Sequence, residues 1–348
     1  MESSISVRKR WKYLITVSVL FLLVESIYTT TIGPASISFQ EAAGIILSKF
    51  SFLESFFGDH EYAQVHETII WTIRMPRVVL AALVGGALAV VGVTFQGFFR
   101  NSMADPYVIG ISSGAALGAT IGILTGVGNF LGMFQIPLFA FGSALLTTWI
   151  VYTLSKVGTK VLTHTLLLAG IALSAFMSAV MSFMMVLNAE EMHKVFYWLM
   201  GSFANRNWDH VIMVSPLILI GTALLMFFAK ELNAMLFGDS TAQHLGVDID
   251  RLKIILLVLG ALTAAGAVAV CGTIGFVGLI IPHMVRILVG PDHRILLPMS
   301  FLVGAMFMVA TDTFARTFFA PVEIPIGIIT SLFGGPFFIY LLRKKKVV

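Results

Sequence analysis

Ten apolar stretches, most near the length of a bilayer crossing, run through this chain with almost no charge inside them. They lie at about 13–32, 78–99, 107–126, 133–154, 165–187, 211–229, 252–271, 275–289, 297–317 and 324–342. A helix needs roughly twenty apolar residues to cross the hydrocarbon, and backbone exposed to lipid must satisfy its own hydrogen bonds. Charged residues make up 11% of the chain and hydrophobic ones 58%, whereas soluble domains are about one quarter charged. So few charges could not cover a soluble core of this size. The expected fold is an all-α polytopic membrane protein of about ten transmembrane helices, with residues 1–348 forming a single membrane domain. The stretch 275–289 is shorter and carries Pro282, His283 and Arg286, which predicts a kinked or partial helix.

Small-residue clusters such as Gly85–Gly86 and Gly114-Ala115-Ala116-Leu117-Gly118 suit close packing of helices. The single cysteine, Cys271, excludes an internal disulfide and a cysteine metal cluster. The eight histidines are scattered; neither His193 nor His283 has a second histidine or carboxylate at ligand spacing, so no metal site and no cofactor are expected. The first apolar stretch has the basic flank of a signal peptide (Arg8, Lys9, Arg10, Lys12). It is long, carries Glu25, and runs into Thr29-Thr30-Thr31-Ile32 without a clear cleavage site, which predicts a retained anchor helix. With the N-terminus inside, ten crossings return the C-terminus to the same side, and 16 of the 22 lysines and arginines fall there. The positive-inside bias therefore predicts an N-in, C-in protein of the cell membrane, in contact with lipid. The tail Arg343–Lys346 is then an orientation signal, and no nucleic-acid partner is expected.

In this orientation the loop at 230–250 is cytoplasmic. Leu232, Met235 and Leu236 repeat at helical spacing, Gly238 can end one short helix, Asp239 or Ser240 can cap a second, and Gly246 can end it. Apolar side chains on such a paired-helix loop need a surface: lipid headgroups, the protein's own bundle, or a cytoplasmic partner. On the outer side, Arg74, Arg77 and Arg316 break the charge bias. Pro76 can sit at a helix start, placing Arg74 and Arg77 at the mouth of the second span. Asp312 lies four residues before Arg316, the spacing of an ion pair on one helix face. Headgroup snorkelling would account for these arginines; so would a basic rim that captures acidic side chains of an extracellular protein.

Several strings together resemble the permease subunits of ABC importers for iron–siderophore complexes, haem and vitamin B12. They include R-M-P-R at 74–77, Q-G-F-F-R-N-S-M-A-D-P at 96–106, L-N-A-M-L-F-G-D-S-T-A-Q-H-L-G at 232–246, and G-T-I-G-F-V-G-L-I-I-P-H-M-V-R at 272–286. V-G-P-D-H-R at 289–294, P-V-E-I-P-I-G at 321–327 and G-G-P-F-F at 334–338 follow in order, and the likeness is strongest over 74–343.

The resemblance implies a bundle like that of the vitamin B12 importer permease, a type II ABC importer. It implies a second permease subunit (the same or a related chain), two cytoplasmic ATPase subunits and an extracellular substrate-binding protein. It assigns Leu232, Asn233, Leu236, Gly238, Ala242, Leu245 and Gly246 to ATPase coupling, Arg74, Arg77 and Arg316 to binding-protein docking, and Gly158 and Thr159 to a cytoplasmic gate. No G-x-x-x-x-G-K-[ST] string occurs, so ATP hydrolysis is expected in a separate subunit and the chain is not expected to be an enzyme. The expected function is translocation of an iron–siderophore complex by alternating access. Haem or cobalamin cargo on the same machinery is the alternative, and an ion-driven secondary transporter is a rival of another class.

Overall fold

The computed structural model describes residues 4–50, 62–158 and 160–345. Its helices are α1 (Ser4–Thr31), α2 (Phe39–Ser48), α3 (Gln64–Phe98), α4 (Ile111–Thr125), α5 (Gln135–Ser155), α6 (Thr163–Leu187) and α7 (Met192–Leu199). They continue as α8 (Trp208–Phe227), α9 (Ala229–Met235), α10 (Asp239–His244), α11 (Ile249–Cys271), α12 (Val277–Val289), α13 (His293–Thr317) and α14 (Ile326–Lys345). Seven of these are long and apolar enough to cross a membrane; α4, α12 and α14 hold shorter apolar segments. Each expected apolar stretch coincides with one of these ten helices.

The second of those stretches is longer than its sequence suggests. α3 begins at Gln64, passes through a π-helical segment at Thr68–Arg74, and continues as regular α-helix from Met75. Pro76 therefore lies within a continuous helix and does not open one. The wider π turn is what accommodates it: a ring that would clash in an ordinary helix has room where each bond reaches five residues back. Met75 donates its N–H to the Ile70 carbonyl in this pattern. The next donor would be Pro76, which has none, and the Trp208 indole N–H takes the vacant Trp71 carbonyl at 2.8 Å. The two indoles pack with ring centroids 4.9 Å apart.

From Val84 to Phe98, α3 is buried on every side, and it forms the axis of the bundle. Glycines set its neighbours' distances. A Cβ on Gly85 would lie 2.2 Å from the Gly304 carbonyl oxygen of α13, and one on Gly304 would lie 2.5 Å from that of Gly85. A Cβ on Gly92 would come to 2.0 Å from the Gly278 oxygen of α12. Small residues at these crossings allow backbone-to-backbone contact, the main source of helix association where lipid supplies no hydrophobic drive.

Two irregular segments break the helical pattern and meet. Residues 99–110 link α3 to α4 through a short turn at Pro106–Ile109, capped by Asp105 Oδ1, which accepts from the Tyr107 N–H at 2.8 Å. Residues 272–276 link α11 to α12, with Gly272 and Phe276 at positive φ. The Tyr107 hydroxyl donates to the Ile274 carbonyl across this junction at 3.0 Å. A third break joins them: Gly327 donates to the Met200 carbonyl, and Thr273 Oγ1 donates to that of Leu199. Backbone groups freed from helices thus find partners in each other, as buried irregular chain requires.

Candidate functional site

The loop at 229–246 folds into the expected pair of short helices, α9 and α10. Gly238 divides them at φ +105° and Gly246 ends the second at φ +88°, both conformations that favour glycine. The side chains separate into two sets. Leu232, Met235 and Ala242 are fully buried against the bundle, and Leu232 lies close to Gly97 of α3. Leu236 (44% exposed), Phe237 (74%) and Leu245 (66%) point away from it. The apolar repeat in the sequence therefore mixes inward and outward residues, and Phe237, not singled out from the sequence, is the most exposed of the three outward ones.

Polar contacts weld this element to three helices. Asn233 Nδ2 donates to Asp292 Oδ1 at 2.8 Å, and Asn233 Oδ1 accepts from the His293 backbone N–H at 2.8 Å, at the start of α13. Asp239 does not cap α10, and Ser240 does not either; the residue ahead of the helix is Gly238 and no side chain caps it. The Asp239 carboxylate is taken by Lys253 Nζ of α11 at 2.7 Å, with Arg100, beyond the end of α3, at 3.8 Å. Asp292 also binds the Arg294 guanidinium, and this bond first of all holds its carboxyl down at about 2, so it stays ionised at any physiological pH.

At the same end of the bundle, Lys156–Val157 and Lys160–Val161 form a small antiparallel hairpin between α5 and α6. Gly158 is exposed at its tip with φ +63°. Thr159, expected beside it as the second gate residue, lies outside the described residues.

The opposite end holds the three arginines, and the structure corrects their expected setting. Arg74 is only 7% exposed; its guanidinium donates to the Thr30 carbonyl at 2.6 Å and to that of Ala35 at 3.3 Å. Arg316 donates to the carbonyls of Thr29 and Ile32. These are carbonyls at and beyond the last turn of α1, which lack partners in their own helix. Arg316 therefore makes no close pair with Asp312 despite the i, i+4 spacing. Asp312 instead accepts from Arg77: Nε at 2.8 Å to one oxygen and Nη2 at 2.9 Å to the other. The third nitrogen, Nη1, reaches Glu323, a half-exposed residue before α14, at 2.9 Å. A two-pronged bond to a deeply buried carboxylate outweighs a single contact along one helix face, because arginine and carboxylate geometries match.

Replacing Asp312 with Ala should cost about 3–5 kcal/mol, because it strands the Arg77 guanidinium beside apolar surroundings. A thermal midpoint in detergent, compared with Asp312→Asn, reads this; an unchanged midpoint for Asp312→Ala would show that Glu323 alone suffices for Arg77.

Between the two ends lie two open cavities. One, of about 960 Å³, opens at the arginine end under α7, among Gln135, Trp198, Arg206 and Glu323. The other, of about 670 Å³, lies at the meeting of the irregular segments, lined by Tyr107, Ser112, Thr273, Gly275, Gly327 and Ser331 among its small or uncharged residues. No charged side chain lines the second among the described residues.

Residues 19–344 match the FecCD transport family. The chain is 46% identical over 291 residues to the cobalamin import system permease protein of Halobacterium salinarum, covering 84% of this chain and 77% of that one. It is 42% identical over 281 residues to the hemin transport system permease protein of Yersinia pestis, covering 80% and 84%. A solved inward-facing structure described as a metal-chelate type ABC transporter superposes with a TM-score of 0.79 at 32% identity, over 96% of this chain and 99% of that one.

Proposed function

The chain belongs to the FecCD transport family, and from that premise we propose that it is the permease subunit of an ATP-driven importer for a metal chelate. All ten apolar helices would cross the membrane, with both termini in the cytoplasm and α9–α10 facing the ATPase subunits. The short helices α4 and α12 would reach across with the help of the irregular segments that precede them, in one permease domain over 1–348.

The observation that carries this reading is the outward set Leu236, Phe237 and Leu245, held on a helix pair that is bonded to α11, α13 and the end of α3. A partner gripping these side chains would move the central helices with them. ATP hydrolysis would belong to that partner. A second copy of this chain, or a related one, would complete the path, with Gly158 and Thr159 at its cytoplasmic narrowing.

At the outer end, docking of a substrate-binding protein would involve Arg77, Arg74 and Arg316 unequally. Arg77 has an exchangeable partner in Glu323, which an acidic side chain of the binding protein could replace. Arg74 and Arg316 would support that platform by tying α1 to it.

For the cargo, a tetrapyrrole-type chelate (a corrinoid or haem) stands first, ahead of the ferric siderophore expected from the sequence. Both relatives described above are named for such cargo, and the uncharged central cavity suits a bulky chelate that must pass without being held. Cells with and without this gene, offered labelled cobalamin, haem and ferric hydroxamate, catecholate and citrate complexes, provide the test. Loss of ATP-dependent cobalamin or haem uptake is the expected result. Loss of a ferric complex alone would keep the machinery and reverse the cargo order. Uptake that survives ATP depletion but collapses with the proton gradient would sink the importer reading.

A further inference from the structure

Beside α9 a cavity of about 300 Å³ opens among Gln96, Arg100, Leu236, Arg286 and His293. Arg286 enters it half-satisfied. Its Nη2 donates to Gln96 Oε1 at 2.8 Å, and Gln96 is itself fixed by bonds from Nε2 to the carbonyls of Gly278 and Leu279. Arg286 Nη1 is shut off from water with no acceptor. No Asp or Glu lines the cavity, and the nearby carboxylates already have cationic partners, Asp239 in Lys253 and, at 3.8 Å, Arg100, and Asp292 in Arg294. On the facing wall, His293 Nδ1 binds Asn233 Oδ1 at 2.8 Å and its Nε2 has no partner. Arg286 is half-buried, and a guanidinium nitrogen shut off from water without an acceptor or a counter-charge is costly, so such a group favours an incoming acid that can pair with it.

We propose that this cavity receives an acidic side chain of the cytoplasmic ATPase subunit, which pairs with Arg286 and passes Arg100 at the mouth. The inference rests on reading α9–α10 as the docking element. Three observations favour a protein carboxylate over a lipid phosphate. Leu236 forms part of the cavity wall and of the docking face, so an occupant from the docked partner needs no separate approach. Arg100 lines the cavity, is half-exposed and pairs only loosely with Asp239 of α10 at 3.8 Å, which leaves a cation on the side from which the partner comes. Asn233, on the coupling helix, touches His293 directly, so filling the cavity would also brace α9 against α13. Apolar residues would supply grip on this interface, and the acid–Arg286 pair would fix its register.

The test uses the full-length permease in nanodiscs and its ATPase subunit, with the dissociation constant measured at about 50 and 300 mM NaCl. Arg286→Gln should weaken binding about tenfold at the lower salt and flatten the salt dependence, while Arg286→Lys stays within about threefold of the unmodified chain. Leu245→Asp, on the docking face but outside the cavity lining, serves as the control on the docking reading. If Leu245→Asp loses binding while Arg286→Gln keeps it within about twofold, the cavity inference fails and the docking face stands. If neither variant loses affinity, the docking reading fails and takes the inference with it. A deficit of Arg286→Gln seen with phosphatidylglycerol discs but absent in pure phosphatidylcholine discs would mean that a headgroup is the occupant, and would overturn the proposal. Should Arg286→Gln not fold, Arg100→Gln at the exposed mouth is read the same way, with a loss of about threefold expected and none overturning.

Discussion

Replacing Leu236 and Leu245 together with Asp is expected to abolish ATP-driven uptake while the chain accumulates in the membrane at its normal level. Leu245 projects from the bundle, and Leu236 keeps contact only along the wall of the small cavity beside α9, so the isolated permease keeps its core and gains two carboxylates. In the proposed assembly the same change would remove two leucines from the ATPase interface, each worth about 1.5–3 kcal/mol when buried. It also forces two charges to be desolvated there. Affinity for the ATPase subunit should fall at least about a hundredfold. Leu232→Asp is the instructive contrast: Leu232 is fully buried against the permease itself, and that variant should be lost from the membrane before any question of docking arises. Immunoblots of membranes together with uptake separate the two outcomes. Normal ATP-driven uptake by the Leu236/Leu245 variant would end the assignment of this element to coupling.

The second large effect concerns the core. Gly85→Leu should prevent accumulation of the folded protein, and Gly85→Ala should already cost about 3 kcal/mol or more. The added Cβ would stand 2.2 Å from a carbonyl oxygen of α13. That atom belongs to helix backbone and cannot turn aside as a side chain tip would, so the two helices must separate along much of their contact. Gly142→Ala is the matched control, since nothing lies within 4 Å of its added Cβ. There the gain in helix propensity, up to about 1 kcal/mol, should raise the thermal midpoint slightly. Equal midpoints for Gly85→Ala and the unmodified chain would show that the α3–α13 crossing is looser than its geometry implies.

Much of this architecture was legible because hydropathy reports it directly: lipid demands unbroken apolar runs, and each of the ten runs became a helix. The paired-helix loop was legible too, since Gly238 and Gly246 mark its stops. What the sequence concealed was direction. Leu232 and Leu236 are chemically alike and four residues apart, yet one is core and the other surface; only the packing of α9 on α3 separates them. The arginines illustrate a different limit. Local spacing pairs Asp312 with Arg316, but the partner that wins, Arg77, is 235 residues away, and no pattern along the chain announces it. Nor did Arg-Met-Pro-Arg reveal that Pro76 would be carried through by a π turn, because the donor that completes that turn, Trp208, comes from another helix.

The place where Tyr107 and Ile274 meet has a meaning for how such a chain diversifies. Its walls combine glycine and hydroxyl side chains with the apolar Leu199, Met200, Ile328 and Leu332, and are held together by bonds among three interruptions in the helices. A wall of that kind offers a passing molecule no charge to recognise, only hydroxyl groups and apolar contact. If the proposed cargo passes here, discrimination would fall chiefly to whatever delivers it, and a lineage could exchange one payload for another by altering the courier.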